Sequence, residues 1–105
     1  MRRGELWWAD LPRPAGRRPV VLLSRNEAYA VRELVTVAPV TTRIRRIPTE
    51  VRLGREEGLD RRCVVNLDTI TTIPKATLTE RIAALTPAKV SVLDAALRFA
   101  LGLRR

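Results

Sequence analysis

The stretch Arg17-Arg18-Pro19-Val20-Val21-Leu22-Leu23-Ser24 decides how the chain folds. Its apolar part, residues 19–24, is continuous and has the length of a strand, which predicts a strand buried on both faces. The two arginines come directly after a loop rich in proline and glycine. A charged side chain at the start of such a strand is anchored by a rigid element and still reaches solvent. The stretch therefore predicts a core strand with a candidate site at its beginning.

Short strand-like segments separated by turn residues extend on both sides of this stretch. Upstream, residues 5–9 form a β-prone run that ends at the loop Leu11–Gly16, where prolines and a glycine break the pattern. Downstream, strand character recurs over residues 34–40, 49–53, 63–67 and 70–73. Residues 26–31 are predicted to form a helical turn, and residues 78–85 fit a strand or a helix.

The last segment has the pattern of an amphipathic helix. Thr86 is a good N-cap, Pro87 suits the first helical position and Gly102 suits the C-terminal cap. Val90, Leu93, Leu97 and Leu101 recur at helical spacing and form one apolar stripe. The predicted fold class is mainly β with α: a small SH3-like barrel of five to seven short strands closed by this helix, with residues 1–105 as a single domain.

Composition excludes several classes of protein. The longest uncharged run, residues 34–42, has about half the length that a membrane-spanning helix needs. The first residues lack the apolar stretch of a secretory signal, so a cytoplasmic location is expected. With one cysteine and no histidine, the chain offers no intramolecular disulfide, no His/Cys zinc site, no Ser-His-Asp triad and no paired-histidine ribonuclease site.

The charge balance indicates a polyanionic partner. Lysine and arginine number 20 against 11 acidic residues, which gives a net charge of +9. Most of the basic residues are arginine, whose rigid guanidinium fork matches phosphate oxygens and base edges. A codon bias would explain the excess of arginine over lysine but not the net positive charge. Nucleic acid or an acidic protein is therefore the expected partner.

Two basic clusters are candidates for phosphate contacts. The first is the pair Arg17 and Arg18, and the second follows the apolar run of residues 34–40. Hydroxyl and guanidinium groups at a strand end suit phosphate oxygens, although solvated loop arginines are an equally ordinary interpretation. The second cluster consists of Thr41, Thr42, Arg43, Arg45 and Arg46.

The acidic and aromatic residues give weaker signals. Glu56, Glu57 and Asp60 lie among arginines, so surface ion pairs are favoured over a divalent-metal site. Trp7 and Trp8 are adjacent and face opposite ways in a strand, so one is expected in the core while the other is free to stack on a base or a partner. Cys63 opens an apolar strand and is expected to be a buried small hydrophobe.

Five segments, in order along nearly the whole chain, resemble the MazF/PemK ribonuclease toxins: residues 3–11, 17–25, 37–42, 63–70 and 72–75. The resemblance implies a small SH3-like barrel with helices, usually a homodimer. It implies cleavage of single-stranded RNA (mRNA, rRNA or tRNA loops) without a metal or other cofactor, which leaves a cyclic phosphate and a 5′-hydroxyl. It also implies a cognate antitoxin whose disordered, often acidic C-terminal segment occupies the RNA groove.

By position, the resemblance implies Arg18 and Thr41 as the catalytic residues. Arg17, Thr42, Arg43, Arg45 and Arg46 are then expected to bind RNA. The loop Leu11–Gly16 is shorter than in many members and has no glutamate, which predicts a more open groove that favours folded RNA such as tRNA loops.

Two other functions fit the same residues. One is a non-catalytic, CcdB-like topoisomerase inhibitor on the same fold. The other is a basic SH3-like module that binds nucleic acid without cleaving it. In each case a dimer is expected, because the C-terminal helix and an edge strand have too little chain to cover them.

Overall fold

Residues 17–22 form the second strand of a β-hairpin. In the computed structural model, which describes residues 1–103, β1 (Glu5–Asp10) pairs antiparallel with β2 (Arg17–Leu22). The connecting residues 11–16 are closed by a backbone hydrogen bond of 3.0 Å between the two ends of the loop. The strand begins earlier than predicted, so Arg17 and Arg18 belong to β2 itself.

The remaining elements are α1 (Ala28–Val31), β3 (Leu34–Thr41), β4 (Glu50–Leu53), β5 (Cys63–Asn66), β6 (Thr71–Pro74), β7 (Leu78–Ala84) and α2 (Pro87–Leu101). Short 3₁₀ turns occupy residues 55–57, 67–69 and 75–77. The segment that fitted both a strand and a helix is the strand β7, which pairs with β1.

The strands form one antiparallel, curled sheet in the order β4-β5-β3-β2-β1-β7, with β6 beside β3. One edge of β3 holds two partners: β6 pairs with residues 34–37 and β5 pairs with residues 40–41. Pro39 lies between these two ladders, where a residue without an N–H disturbs the sheet least. Register shifts between β1 and β7 beside Trp7 and Trp8 add twist. The predicted fold class is confirmed, as a half-barrel with a C-terminal helix.

Apolar clusters fill both sides of the curled sheet. The larger cluster includes the buried side chains of Leu6, Val21, Val65, Leu67 and Leu93. The smaller cluster includes those of Val20, Leu22, Val35 and Val37. Consecutive residues of β2 therefore face different clusters, which confirms that this strand is buried on both faces.

Helix α2 begins and ends as its caps predict, but its buried stripe differs from the prediction. Leu93 is fully buried against the larger cluster, whereas Leu101 is 56% exposed. Seven residues after Leu93, Ala100 returns to the inner face, while Leu101 is turned outward by about a quarter turn. Within residues 1–103, no helix has the length and apolar character needed to cross a membrane.

Candidate active site

The start of β2 and the end of β3 meet at one rim of the half-barrel. The last paired residues of their ladder are Val20 and Pro39. Continuing this antiparallel register by two residues sets Arg18 opposite Thr41. Because side chains alternate along a strand, both residues then project from the face that carries Val20. The topology thus gives these two residues neighbouring positions along the rim.

Arg18 carries a polar atom that the described part of the chain does not satisfy. The residue is half-buried, and within residues 1–103 its buried Nε has no hydrogen-bond partner. Its cross-strand neighbour on β1 is Ala9, whose small side chain is completely buried. A buried N–H without an acceptor costs about 1–3 kcal/mol. Arg18 is therefore a half-buried guanidinium at the start of β2 with one N–H that the described residues leave unpartnered.

Thr41 offers a hydroxyl at the same rim. It is half-buried, and its Oγ1 accepts a hydrogen bond of 3.2 Å from the backbone N–H of Arg43. A hydroxyl that accepts one bond still has its own hydrogen to donate. Thr41 can therefore donate to an oxygen outside the chain while its position is fixed from within.

A cavity of about 230 Å³ adjoins Thr41. Its residues come from the strand rim and from the connection between β4 and β5. They are Trp8, Pro19, Val40, Thr41, Thr42, Gly58, Leu59, Asp60, Arg61 and Cys63. Arg18 does not line this cavity, since it alternates with Pro19 along β2. Thr41, at the end of β3, therefore borders the cavity. Arg18 shares a face with Thr41 by strand alternation and lies on the opposite face from the cavity residues Trp8 and Pro19.

Trp8 forms an aromatic wall of this cavity. The guanidinium carbon of Arg17 lies 4.2 Å from the centroid of the Trp8 ring, which is a cation–π contact. Nη2 of Arg17 also lies 3.5 Å from Oε1 of Glu80. Trp7 faces the other way and packs against the smaller cluster, as the alternation of adjacent strand residues predicts. A tryptophan free to stack was thus predicted from the sequence, but its pairing with Arg17 was not.

The connection between β3 and β4, residues 42–49, is here called the basic loop. Thr42, Arg43, Arg45 and Arg46, which were predicted to bind RNA, are all exposed on it. Glu50 follows the loop, and its Oε1 accepts hydrogen bonds from the backbone N–H groups of Arg45 and Arg46 at 2.9 and 3.0 Å. Glu50 was not among the predicted site residues, because its only signal in the sequence is a single carboxylate next to a cluster of arginines.

The predicted ion pairs of the acidic segment are wrong. Among the described residues, neither Glu56, Glu57 nor Asp60 forms a salt bridge. Glu57 is buried instead, and its Oε1 accepts a hydrogen bond of 2.7 Å from the backbone N–H of Gly54, which closes the 3₁₀ turn. Residues 1–103 also contain no cluster of three or more acidic, cysteine or histidine residues that could hold a metal ion.

Cys63 is buried, as predicted, at the start of β5. Burial raises the pKa of its thiol, and the negative charge of Glu57 raises it further. A thiol in this state is a poor nucleophile, because the thiolate is the reactive form. Cys63 therefore contributes an apolar wall to the cavity and no chemistry of its own.

The chain resembles known toxins over almost its whole length. Residues 2–101 match the family described as PemK-like, MazF-like toxin of type II toxin-antitoxin system. Over 106 residues, the chain is 40% identical to the probable endoribonuclease MazF5 of Mycobacterium tuberculosis, which covers 98% of this chain and 94% of that protein. It is 39% identical to the probable endoribonuclease MazF2 of the same species, which covers 97% of this chain and 99% of that protein.

The fold is also similar to solved structures of a MazF toxin and an endoribonuclease. The Mycobacterium tuberculosis toxin MazF-mt6 superposes with a TM-score of 0.89 at 33% identity, over 96% of this chain and 99% of that chain. A mycobacterial endoribonuclease in complex with its cognate antitoxin superposes with a TM-score of 0.87 at 32% identity, over 100% of this chain and 98% of that chain.

Proposed function

The chain belongs to the PemK-like, MazF-like toxins of type II toxin–antitoxin systems and is an endoribonuclease of that family, and we propose that it cleaves single-stranded RNA at specific sequences. The observation that carries this proposal is the 40% identity to a probable endoribonuclease over 98% of the chain. The excess of basic over acidic residues, 20 against 11, suits a polyanionic substrate. We propose that it acts in the cytoplasm, where such RNA is present.

The proposed reaction is an internal transfer at one phosphodiester. The ribose 2′-oxygen attacks the adjacent phosphorus, a P–O2′ bond forms and the P–O5′ bond breaks. The 2′-hydroxyl loses a proton and the leaving 5′-oxygen gains one, which gives a 2′,3′-cyclic phosphate and a 5′-hydroxyl. Negative charge grows on the two non-bridging phosphoryl oxygens in the transition state, and preorganised donors at those oxygens lower the barrier.

We assign Arg18 and Thr41 to these donors. The unpartnered Nε of Arg18 and the free hydroxyl hydrogen of Thr41 support the assignment, as does the β2–β3 register that gives them neighbouring positions. Guanidinium keeps its proton in proteins, so Arg18 acts as an electrostatic clamp and not as a base. The clamp supplies the positive charge that the transition state needs, so cleavage is expected to continue in EDTA.

The groups beside this pair are proposed to hold the RNA. Arg17 is fixed over Trp8 at the edge of the cavity, and Thr42, Arg43, Arg45 and Arg46 expose their side chains on the basic loop. Guanidinium and hydroxyl groups are suited to phosphate oxygens, and a tryptophan face is suited to stacking on a base. The same basic surface would attract the acidic C-terminal segment of a cognate antitoxin; a structural relative is known in complex with its own antitoxin.

We further propose that the protein is a homodimer that pairs through the outer face of α2. Val92, Phe99 and Leu103 are 53%, 62% and 58% exposed, although all three are large and apolar. The spacing of seven residues places Val92 and Phe99 on one side of the helix, and Leu103 follows the C-terminal cap Gly102. A two-fold contact between copies would bury each of these side chains against the same surface of the partner.

The test of the activity is cleavage of a defined RNA pool by the wild type, Arg18→Ala, Arg18→Lys and Thr41→Ala, with analysis of the new end groups. Arg18→Ala is expected to lower the rate about 100- to 1,000-fold, because it removes a transition-state donor. Arg18→Lys should recover only part of this loss, since an ammonium is a point charge and lacks the guanidinium fork.

Two exposed residues outside the site provide matched controls. Arg32→Ala and Thr71→Ala make the same chemical changes elsewhere on the surface and are expected to cleave like the wild type. Near-full activity of Arg18→Lys would contradict the clamp. RNA binding without any cleavage by the wild type would favour a non-catalytic binding module.

A further inference from the structure

Glu50 has no part in the proposed cleavage, yet its carboxylate lies beside the basic loop. It is the first residue of β4, and its side chain is only 3% exposed. Its Oε1 accepts the consecutive backbone N–H groups of Arg45 and Arg46. Each bond links the loop backbone to a strand that pairs with β5. Glu50 therefore attaches the basic loop to the sheet.

The backbone conformation of Arg46 and the burial of the Glu50 carboxylate both cost free energy at this attachment. Arg46 has a φ of 60°, a left-handed conformation that residues with a Cβ rarely adopt. The Oε2 of Glu50 is buried without a hydrogen-bond partner among residues 1–103, and Nε of Arg45 lies 3.8 Å away from it. A buried carboxylate that is only half satisfied is costly for folding. A contribution to stability alone does not account for this arrangement.

We infer that Glu50 is a positioning residue, which fixes the basic loop in the conformation that presents Arg43, Arg45 and Arg46 to RNA. The inference rests on the proposed function for the identity of the ligand. Three guanidinium groups close together repel each other, so an unanchored loop would spread over many conformations. Ordering the loop during folding lowers the entropy that RNA binding must later overcome.

A purely electrostatic role and a positioning role of Glu50 predict opposite changes in RNA affinity when the carboxylate is removed. If the acid only offset positive charge near the RNA, its removal would strengthen binding. If it positions the loop, its removal weakens binding even though the protein gains net positive charge. The sign of the change therefore separates the two roles.

The test compares Glu50→Gln with Glu56→Gln, which makes the same charge change at an exposed acid on the 3₁₀ turn of residues 55–57. The probe is a short 2′-O-methyl RNA of mixed sequence, which cannot undergo 2′-oxygen attack. Affinity is measured by fluorescence anisotropy. Glu50→Gln is expected to weaken binding about fivefold relative to Glu56→Gln, because a neutral acceptor bonds less strongly than a carboxylate and Nε2 then faces Arg45. Equal or tighter binding by Glu50→Gln overturns the inference.

A second measurement does not depend on RNA. Hydrogen exchange by mass spectrometry is expected to speed up over residues 42–49 in Glu50→Gln and to stay unchanged over β5. Unchanged exchange over the basic loop also overturns the inference, and loss of protection over β5 as well would show that Glu50 supports the fold instead. If the wild type binds no RNA while loop exchange still rises, the anchoring role stands and the proposed function fails.

Discussion

Glu5 shows how a single carboxylate organises the N-terminal end of the sheet. Its Oε1 accepts hydrogen bonds of 3.0 Å from Nε1 of Trp7 and from the backbone N–H of Arg2, and its Oε2 accepts one of 3.0 Å from Nε of Arg81. Burial alone would raise the pKa of this carboxyl. The hydrogen bonds outweigh that effect and, with the positive amino terminus, hold the pKa below its ordinary value of 4.5.

The lowered pKa makes the contribution of Glu5 to stability depend on pH. Since the folded pKa lies below the unfolded one, the stabilisation is complete above the unfolded pKa and is lost as the pH falls through the folded pKa. We expect Glu5→Gln to lower the free energy of unfolding by about 1–2 kcal/mol near neutral pH and to converge with the wild type in acid. Urea unfolding over a pH series measures this. Glu27→Gln, at an exposed acid, is the control, and a difference that persisted in acid would contradict the prediction.

Sequence reasoning at the residue scale was strongest where a residue's role depends on its own strand. The alternation along β1 separated Trp7 from Trp8, and the end of an apolar run indicated Thr41. Glu50 could not be found this way, because its role depends on where two backbone N–H groups of a loop point. The placement of Arg17 and Arg18 on different sides of β2 was not predicted, because the predicted strand began at Pro19 and left both arginines in the loop.

Among the elements, α2 carries a prediction about assembly. Its caps follow from the sequence, but its buried stripe does so only in part, because Leu101 is exposed. Its outer face is also apolar, and periodicity alone does not separate the two faces. We expect Phe99→Asp to convert the proposed dimer to a monomer at micromolar concentration, because a carboxylate at the centre of an apolar contact loses its hydration without gaining a partner. Sedimentation velocity measures this. Val31→Asp, at an apolar residue that is 74% exposed on α1, should leave the assembly unchanged. A wild type that is monomeric at these concentrations would contradict the proposed interface.

At the scale of the whole molecule, the excess of positive charge governs affinity for RNA. With a net charge of +9, binding should release counterions from the RNA, so the logarithm of the affinity should fall linearly with the logarithm of the salt concentration. Arg45→Ala is expected to reduce the magnitude of that slope by about one, since it removes one phosphate contact. Anisotropy titrations with the 2′-O-methyl RNA over a salt series measure both. An unchanged slope would remove Arg45 from the RNA interface.

The class of the fold was predictable because its strands are short and separated by turn residues. The C-terminal helix and the mainly β class followed from caps and periodicity. The shared edge of β3, which holds both β5 and β6, did not, because pairing across that edge joins residues far apart in the chain. The rim that carries Arg18 and Thr41 depends on another pairing, the β2–β3 ladder on the opposite edge of β3.

The two tryptophans of the chain differ in a way that a spectroscopist can use. The indole of Trp7 is held by Glu5 and packed against the smaller cluster, whereas that of Trp8 lies under Arg17 at the wall of the cavity. Whatever enters the cavity changes the surroundings of one fluorophore and leaves the other as an internal reference. The native emission spectrum therefore reports occupancy of the cavity without any attached dye.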